Sequence, residues 1–297
     1  MVSMKVQFNE AWVFICVALL FIPLANASTI RHDLDAQLYR DEAALYPMVG
    51  SVNGSGFSGA GVLISDRWVL TAGHVAFSKE GAAFRVGGVN YSIETVYRNP
   101  NNTPFSTTFD MGLLYLSSQV VGIEAATMLR LPTPTSLLGR EAAWVGNGLT
   151  GTGLDDNRGG NEMRAFTNVI DGFTPNFGLP GPSFYADFDS PTGTNNSLSF
   201  QNSDATATRL EGNVTPGDSG GGVFINQDGR NYLIGINSYT SGFAPGLNGK
   251  YGSLSGAADL GLFHDWIFAT SGIAAVPEPG MLGLLCFGSL LGLRRRR

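Results

Sequence analysis

The sequence predicts an all-β fold, and three observations carry that prediction. Short apolar stretches recur along the chain with glycine, asparagine and proline between them, which is the pattern of strands joined by turns. Helical periodicity is nearly absent before about Ala257, so the expected helix of the body lies near the C-terminus. Glycine accounts for 40 of the 297 residues, and turns use glycine heavily. We therefore expect many short strands, polar loops and little helix.

The first 27 residues are predicted to be a secretory signal peptide. Lys5 gives a basic start, residues 11–24 form an apolar run, and residues 25–27 read Ala-Asn-Ala, a small-residue cleavage site. A membrane helix is the alternative, but the run is shorter than the roughly 20 residues that a span needs. Residues 28–45 then form an N-terminal segment, which would be a propeptide if a second cut follows it.

Within the body, a histidine stands at the end of a predicted buried strand. Residues 68–72 are mostly apolar, and residues 72–74 read Ala-Gly-His, a small-residue turn that presents the imidazole of His74. A hydrogen-bonded core histidine is the alternative. Asp110 precedes another apolar run, residues 111–116, and a lone buried carboxylate is costly unless it has a partner. A partner for this acid is therefore expected.

Residues 215–222 read Thr-Pro-Gly-Asp-Ser-Gly-Gly-Gly and place Ser219 in a glycine-rich turn. Acyl transfer requires an exposed hydroxyl and backbone N–H donors aimed at the oxygen that becomes negative, and glycine leaves room for the substrate. A simple glycine-rich turn is the alternative. Because serine needs a base to become a nucleophile at neutral pH, we pair Ser219 with His74. Asp66 reads as a solvated turn residue and Asp218 is too close in sequence to Ser219, which leaves Asp110 as the third member.

The chain order histidine, aspartate, serine resembles that of the chymotrypsin/trypsin family of serine endopeptidases, because other serine hydrolases assemble these residues in different orders. The resemblance covers about residues 46 to 270. It implies two antiparallel six-stranded β-barrels, over residues 46–140 and 141–270, with the site in the cleft between them and a short C-terminal helix. Closed barrels would also cover the strand edges that so much β structure exposes.

The resemblance also implies a role for each candidate site residue. His74 would act as general base and then general acid, Asp110 would hold its tautomer, and Ser219 would attack the substrate carbonyl. The N–H groups of Gly217 and Ser219 would form the oxyanion hole. The implied function is hydrolysis of peptide bonds through an acyl-enzyme intermediate. The alternative is a catalytically silent, protease-like surface or matrix binding module.

The primary specificity pocket is expected to be uncharged. In the family, an acid six residues before the nucleophile selects basic side chains, and here that residue is Asn213. Burying an unpaired Lys or Arg would cost several kcal/mol, so cleavage is expected after uncharged residues such as Leu, Met, Ala or Gln. Glu211 or Asp204 is the alternative source of charge. The residues expected at the substrate site are Asn213, Ser238, Tyr239, Thr240 and Gly249.

Two features depart from the family. Its animal members carry an Ile-Val-Gly-Gly segment whose freed N-terminus pairs with the aspartate before the nucleophile, and no such segment precedes residue 46 here. Either Asp218 finds another partner, or a cut within residues 28–45 supplies a different N-terminus. The family usually has several disulfides, whereas Cys16 and Cys286 both lie in predicted targeting segments. The body must therefore be stabilised by its core.

The C-terminal residues 271–297 form a second targeting segment. Residues 276–280 read Val-Pro-Glu-Pro-Gly, residues 281–293 are apolar, and residues 294–297 are arginines that favour the cytoplasmic side of a membrane. This arrangement resembles the PEP-CTERM sorting signal of Gram-negative bacteria, which an exosortase processes. It implies export to the outer surface, the extracellular matrix or the medium, after transient anchoring in the inner membrane through the short C-terminal helix. A plain C-terminal anchor is the alternative.

Composition excludes other kinds of partner. The formal net charge is −6, and Lys5 and the terminal arginines lie in the targeting segments, so the body is more acidic still and nucleic-acid binding is not expected. We expect a protein or peptide substrate and no cofactor or metal. Asp155, Asp156, Asn157 and Glu162 offer oxygen ligands for calcium, but their spacing matches no defined calcium loop, so a solvated turn is the favoured interpretation.

Overall fold

The computed structural model describes residues 28–54, 58–155, 159–160, 162–175, 178–242 and 249–278. The described chain begins with strand β1 (Ser28–Ile30), which is buried throughout, and helix α1 (Ala36–Ala43). Tyr39 on this helix is fully buried, and its hydroxyl donates a hydrogen bond to the Glu211 carbonyl at 3.0 Å. The segment after the predicted signal peptide is therefore packed into the body.

The first half is a closed barrel with strand order β2-β3-β4-β7-β6-β5. Its strands are β2 (Val49–Asn53), β3 (Gly59–Leu63), β4 (Trp68–Thr71), β5 (Ala83–Val86), β6 (Val89–Arg98) and β7 (Gly112–Leu116). A short helix, α2 (Gly73–Ala76), follows β4. The core on the two faces of this barrel includes the fully buried Val52, Val62, Leu70 and Leu113, and each such side chain contributes about 1.5–3 kcal/mol by leaving water.

The second half is built on a nine-stranded sheet. Its main path runs β11-β9-β15-β16-β17-β13-β12, with β8 on β16 and β18 on β8. The elements of this half are β8 (Thr127–Arg130), β9 (Glu141–Gly146), β10 (Thr150–Thr152), β11 (Arg164–Val169), β12 (Gly172–Phe173), β13 (Ser183–Asp187), β14 (Gly212–Asn213), β15 (Gly222–Gln227), β16 (Arg230–Gly242), β17 (Ser253–Asp259), α3 (His264–Ser271) and β18 (Val276–Pro277). Single 3-10 turns lie at Pro134–Leu137, Ser199–Gln201 and Leu260–Leu262.

Six consecutive strands of this path, from β11 to β13, bend back toward each other. Asn168 on β11 donates its side-chain amide to the Asp187 carbonyl at the end of β13, at 2.6 Å. The same amide lies 3.4 Å from the Gly212 carbonyl of β14. A side chain thus joins the two ends of the curved sheet. The closed first barrel, the large second sheet and the short C-terminal helix confirm the predicted chymotrypsin-like all-β class.

A small third sheet, with order β10-β1-β14, connects the N-terminus to the second half. Strand β1 is parallel to β10 and antiparallel to β14, with Thr29 opposite Asn213. The two halves also share a core, in which the rings of Tyr46 and Phe224 pack with centroids 4.7 Å apart. The candidate site residues lie along this junction.

Strand β8 belongs to the second sheet, although it lies before the boundary expected at residue 140. It runs parallel to β16, with Tyr232 opposite Thr127 and Leu233 opposite Met128.

The predicted signal peptide and the hydrophobic segment 281–293 lie outside the described residues. Among the helices that are described, none has the length and apolar character needed to span a bilayer.

Candidate active site

Strand pairing in the first barrel brings His74 and Asp110 together. Strands β4 and β7 are antiparallel, with Thr71 opposite Gly112, so the residues after β4 meet those before β7. The Asp110 carboxylate accepts the His74 backbone N–H at 2.9 Å and lies 2.8 Å from His74 Nδ1. Asp110 is 1 % exposed. Because an ionised carboxylate only accepts hydrogen bonds, Nδ1 carries the proton and Nε2 is left as the acceptor.

The turn that carries Ser219 is docked on the first barrel. The Ser219 carbonyl accepts the Ala60 N–H at 2.8 Å. The next residue, Gly220, has φ +89°, and a side chain there would collide with the Ala60 carbonyl and the Thr71 hydroxyl. Glycine is required at this position both for its backbone conformation and for the close approach. The serine therefore sits against β3, beside the helix that holds His74.

Ser238 connects the aspartate with the serine. Its hydroxyl donates to Asp110 Oδ2 at 2.5 Å, and its carbonyl lies 3.5 Å from Ser219 Oγ. The register of β16 against β17 shifts between Asn237 and Tyr239, so Ser238 occupies an irregularity of the strand. The sequence pattern placed Ser238 at the substrate site but gave no signal for its bond to Asp110.

The backbone N–H groups of Gly217 and Ser219 lie in a turn in which Gly217 has a positive φ angle. Gly217 has φ +102° and packs against Gly148, where a Cβ atom would lie 2.7 Å from the Gly148 Cα. In the described part of the chain, the N–H groups of Gly217 and Ser219 donate to no protein acceptor. Two adjacent donors beside a serine hydroxyl are the arrangement that stabilises a developing oxyanion.

Asp218, between these residues, is fully buried and accepts four hydrogen bonds. They come from the Gly148 N–H at 2.7 Å, the Thr215 N–H at 2.8 Å, the Thr215 hydroxyl at 3.0 Å and the Ser28 hydroxyl at 3.1 Å. Burial raises the pKa of this carboxyl to about 6, while the hydrogen bonds lower it. No basic side chain in the described ranges forms an ion pair with it. Arg164 interacts with this carboxylate electrostatically, but its ion pair is with Glu162, so Asp218 has no direct salt-bridge partner among the described residues.

Comparison with known proteins identifies two parts of the chain. Residues 39–168 match the family model described as Trypsin, and residues 275–297 match the PEP-CTERM protein-sorting motif. Residues 39–168, a little under half of the chain, are thus similar to the trypsin family. The chain is similar to trypsin 5G1 of Aedes aegypti, with 30 % identity over 100 residues, and this alignment spans 31 % of the chain and 37 % of the relative. The Trypsin match includes His74 and Asp110, and Ser219 lies beyond it.

Asn213, at the expected base of the pocket, is fully buried, and both polar atoms of its amide have partners. Its Nδ2 donates to the Val214 carbonyl at 2.7 Å and to the Thr240 hydroxyl at 2.9 Å, and its Oδ1 accepts the Ser255 hydroxyl at 2.9 Å. The bond between Asn213 and Thr240 joins β14 to β16. The amide of Asn213, at the expected pocket base, therefore forms its hydrogen bonds with groups of the protein itself.

The other expected pocket residues are placed as follows. Tyr239 is buried with its ring against Gly256, where any side chain would overlap it, and its hydroxyl lies 3.0 Å from Ser183 Oγ. Burial raises the pKa of Tyr239 to about 12. Gly249 is buried with φ +80° and directly follows residues 243–248, which lie outside the described residues.

The acids considered as alternative pocket charges have other partners. Glu211 accepts the Thr208 N–H at 2.6 Å and the Thr208 hydroxyl at 2.7 Å. Asp204 is exposed and accepts the N–H and the hydroxyl of Thr206. Neither carboxylate forms a hydrogen bond with Asn213 or Thr240 among these contacts.

Four residues were considered as possible calcium ligands: Asp155, Asp156, Asn157 and Glu162. Of these, Asp156 and Asn157 lie outside the described residues. Asp155 accepts the Thr152 hydroxyl at 3.0 Å. Glu162 lies 3.3 Å from Arg40 and 3.6 Å from Arg164, so arginines neutralise it. Where the structure describes the chain, no three His, Cys, Asp or Glu side chains converge on a possible metal position.

Proposed function

We propose that this chain is an exported serine endopeptidase. The observation that carries the proposal is the placement of Asp110, whose carboxylate meets both His74 and Ser238 at the turn of Ser219. The match of residues 39–168 to the Trypsin family model supports a peptidase function. The sorting motif at residues 275–297 supports export.

In the proposed reaction, His74 Nε2 takes the proton from Ser219 Oγ as that oxygen bonds to the substrate carbonyl carbon. Asp110 holds the Nδ1–H and stabilises the imidazolium that forms. The carbonyl oxygen becomes negative next to the N–H groups of Gly217 and Ser219, and one such donor is worth about 10²–10³ in kcat. The imidazolium returns the proton to the leaving amine, and water then hydrolyses the acyl-enzyme by the same steps in reverse.

We further propose that the cleaved bond follows a small uncharged residue. The Thr240 hydroxyl reaches Asn213 at 2.9 Å, so it takes up space that a long substrate side chain would need. A Lys or Arg entering here would meet no carboxylate, and an unpaired buried charge costs several kcal/mol. Alanine, serine and similarly short side chains fit these constraints best.

We also propose that removal of the signal peptide completes the site. A cut after Ala27 leaves Ser28 as the first residue, and its new α-ammonium group would lie next to Asp218, because the hydroxyl of the same residue is 3.1 Å from that carboxylate. The fully buried position of Ser28 and the packing of β1 and α1 support keeping residues 28–45 in the mature protein. They would then be no propeptide.

The proposed route to the cell surface uses the sorting motif. In it, residues 281–293 hold the exported chain at the inner membrane until an exosortase processes the motif. The mature peptidase is then at the outer surface, in the matrix or in the medium. Its intact mass, measured on protein from the native host, is expected to lack residues 281–297.

Fluorophosphonate labelling of the mature protein tests the catalytic proposal. A nucleophilic serine reacts covalently with this probe, and the labelled peptide should contain Ser219. Hydrolysis of a mixed peptide library should then give the cleaved position. A folded mature protein that neither labels nor cleaves any peptide would support the silent binding module instead.

A further inference from the structure

The first residues of the sorting motif are folded onto the peptidase body. After α3 the chain turns back and forms β18, which pairs in parallel with β8, with Val276 opposite Leu129 and Pro277 opposite Arg130. The N–H of the next residue, Glu278, lies 3.3 Å from the Arg130 carbonyl. Three residues of the Val-Pro-Glu-Pro sequence therefore continue the second sheet.

The acidic residue of the motif also faces a basic residue of the body. Glu278 Oε1 lies 3.6 Å from Arg140 Nη1, and the side chains of Glu278 and Arg140 are 25 % and 28 % exposed. Arg140 is held in place by Gln227, whose Oε1 lies 3.4 Å from its other terminal nitrogen. The backbone and the charge of Glu278 thus both have partners on the body.

Little chain separates this docked segment from the hydrophobic run. Only Pro279 and Gly280 lie between Glu278 and residue 281, and two extended residues span about 7 Å. An enzyme that made backbone contacts to the Pro-Glu-Pro residues would compete with β8 for the edge of this segment.

We propose that the edge of β8, together with Arg140, is a docking surface for residues 276–278, and that the sorting enzyme competes with it for this segment. The proposal rests on the proposed export and processing. Strand β18 must then leave β8 before processing. The ion pair between Glu278 and Arg140 contributes to the equilibrium between the docked and the released strand. The contact is peripheral and partly exposed, which allows the strand to open without unfolding the sheet beneath it.

The docking itself is tested on purified residues 28–297 in detergent, which keep the whole C-terminal segment. Amide hydrogen exchange at Glu278 is expected to be about two- to fivefold faster in Arg140→Ala than in the wild type, as for loss of a partly exposed ion pair. Arg209→Ala is the matched control, because Arg209 pairs with Glu42 at 2.6 Å on another surface. Unchanged fluorophosphonate labelling would show that both variants remain folded. Equal exchange in the wild type and in Arg140→Ala would refute the docking.

The competition is tested in a host that contains the sorting system. The rate of C-terminal processing, followed by pulse labelling and mass, should rise about two- to fivefold in Arg140→Ala and stay near the wild type in Arg140→Lys. Faster exchange with unchanged processing would overturn the competition. If neither the wild type nor any variant is processed, the proposed sorting step fails and the competition with it, whereas labelling at Ser219 would still report on catalysis.

Discussion

The Ser28 hydroxyl donates to the Asp218 carboxylate at 3.1 Å, although 190 positions separate the two residues. Ser28 directly follows the predicted signal-peptide cut, and Asp218 directly precedes the candidate nucleophile. A cut at the predicted position would place the new α-ammonium group next to a buried carboxylate whose hydrogen-bond partners are all neutral. Such a cut would link a targeting event to the geometry of Ser219.

Displacement of this N-terminus is expected to impair catalysis. Two extra residues inserted between Ala27 and Ser28 would move the α-ammonium away from Asp218, and an uncompensated buried charge costs about 3–5 kcal/mol. Active-site titration with a fluorophosphonate should show labelling at least tenfold slower. Ser28→Ala is the matched control, since it keeps the ammonium and loses only the hydroxyl. Equal labelling of the extended and the wild-type proteins would refute the role of the N-terminus.

Loss of a triad member is expected to remove nearly all activity. Ser219→Ala should abolish fluorophosphonate labelling. Asp110→Asn should lower kcat by about 10⁴, because the amide oxygen keeps the His74 backbone N–H while the amide NH2 donates to Nδ1 and favours the wrong tautomer. Ser118→Ala, at an exposed serine in the first half, should behave as the wild type. Labelling that persists in Ser219→Ala would show that another residue is the nucleophile.

Opening the pocket is expected to change the preferred substrate. Thr240→Gly removes the hydroxyl that reaches Asn213, so the kcat/KM for peptides with Leu or Met at the cleaved position should rise at least tenfold relative to Ala. Thr240→Ser keeps the hydroxyl and should retain the wild-type profile. Peptide-library profiling measures both, and an unchanged preference in Thr240→Gly would mean that Thr240 does not limit the pocket.

Stability is expected to fall as the pH rises from about 4 toward 8. Burial, and then the neighbouring carboxylates of Asp187, Asp171 and Asp204, raise the pKa of Asp189 to about 8, and burial raises that of Asp171 to about 7. A free aspartate has a pKa of about 3.9. The folded state therefore holds these protons more tightly than the unfolded state. The stability that this gives is lost as the pH rises through the pKa values of the two carboxyls in the folded protein.

Urea unfolding of Asp189→Asn between pH 5 and pH 9 measures this effect. The amide cannot ionise, so the free energy of unfolding should decline less with pH than in the wild type. Asp265→Asn is the control, because that carboxylate is 93 % exposed. Parallel pH profiles for the wild type and Asp189→Asn would show that Asp189 is already ionised at low pH.

The sequence predicted the parts of the site that depend on neighbouring residues. The apolar run before His74 and the glycines around Ser219 are local signals for a strand end and a tight turn, and both form as expected. The Ser238 contact depends on a register shift in β16, and the Ser28 contact on pairing between β1 and β14. Such long-range pairing leaves no local pattern.

The hydrogen bond from Ala60 to the Ser219 carbonyl has a consequence for how the site is assembled. The serine turn belongs to the second half by sequence, yet its position is fixed by a strand of the first. The connection between β7 and β8 contributes no residue to the site. If the chain is divided at that connection, neither fragment alone should have a reactive serine. Labelling of Ser219 should return only when the two fragments associate, so it would report their reassembly.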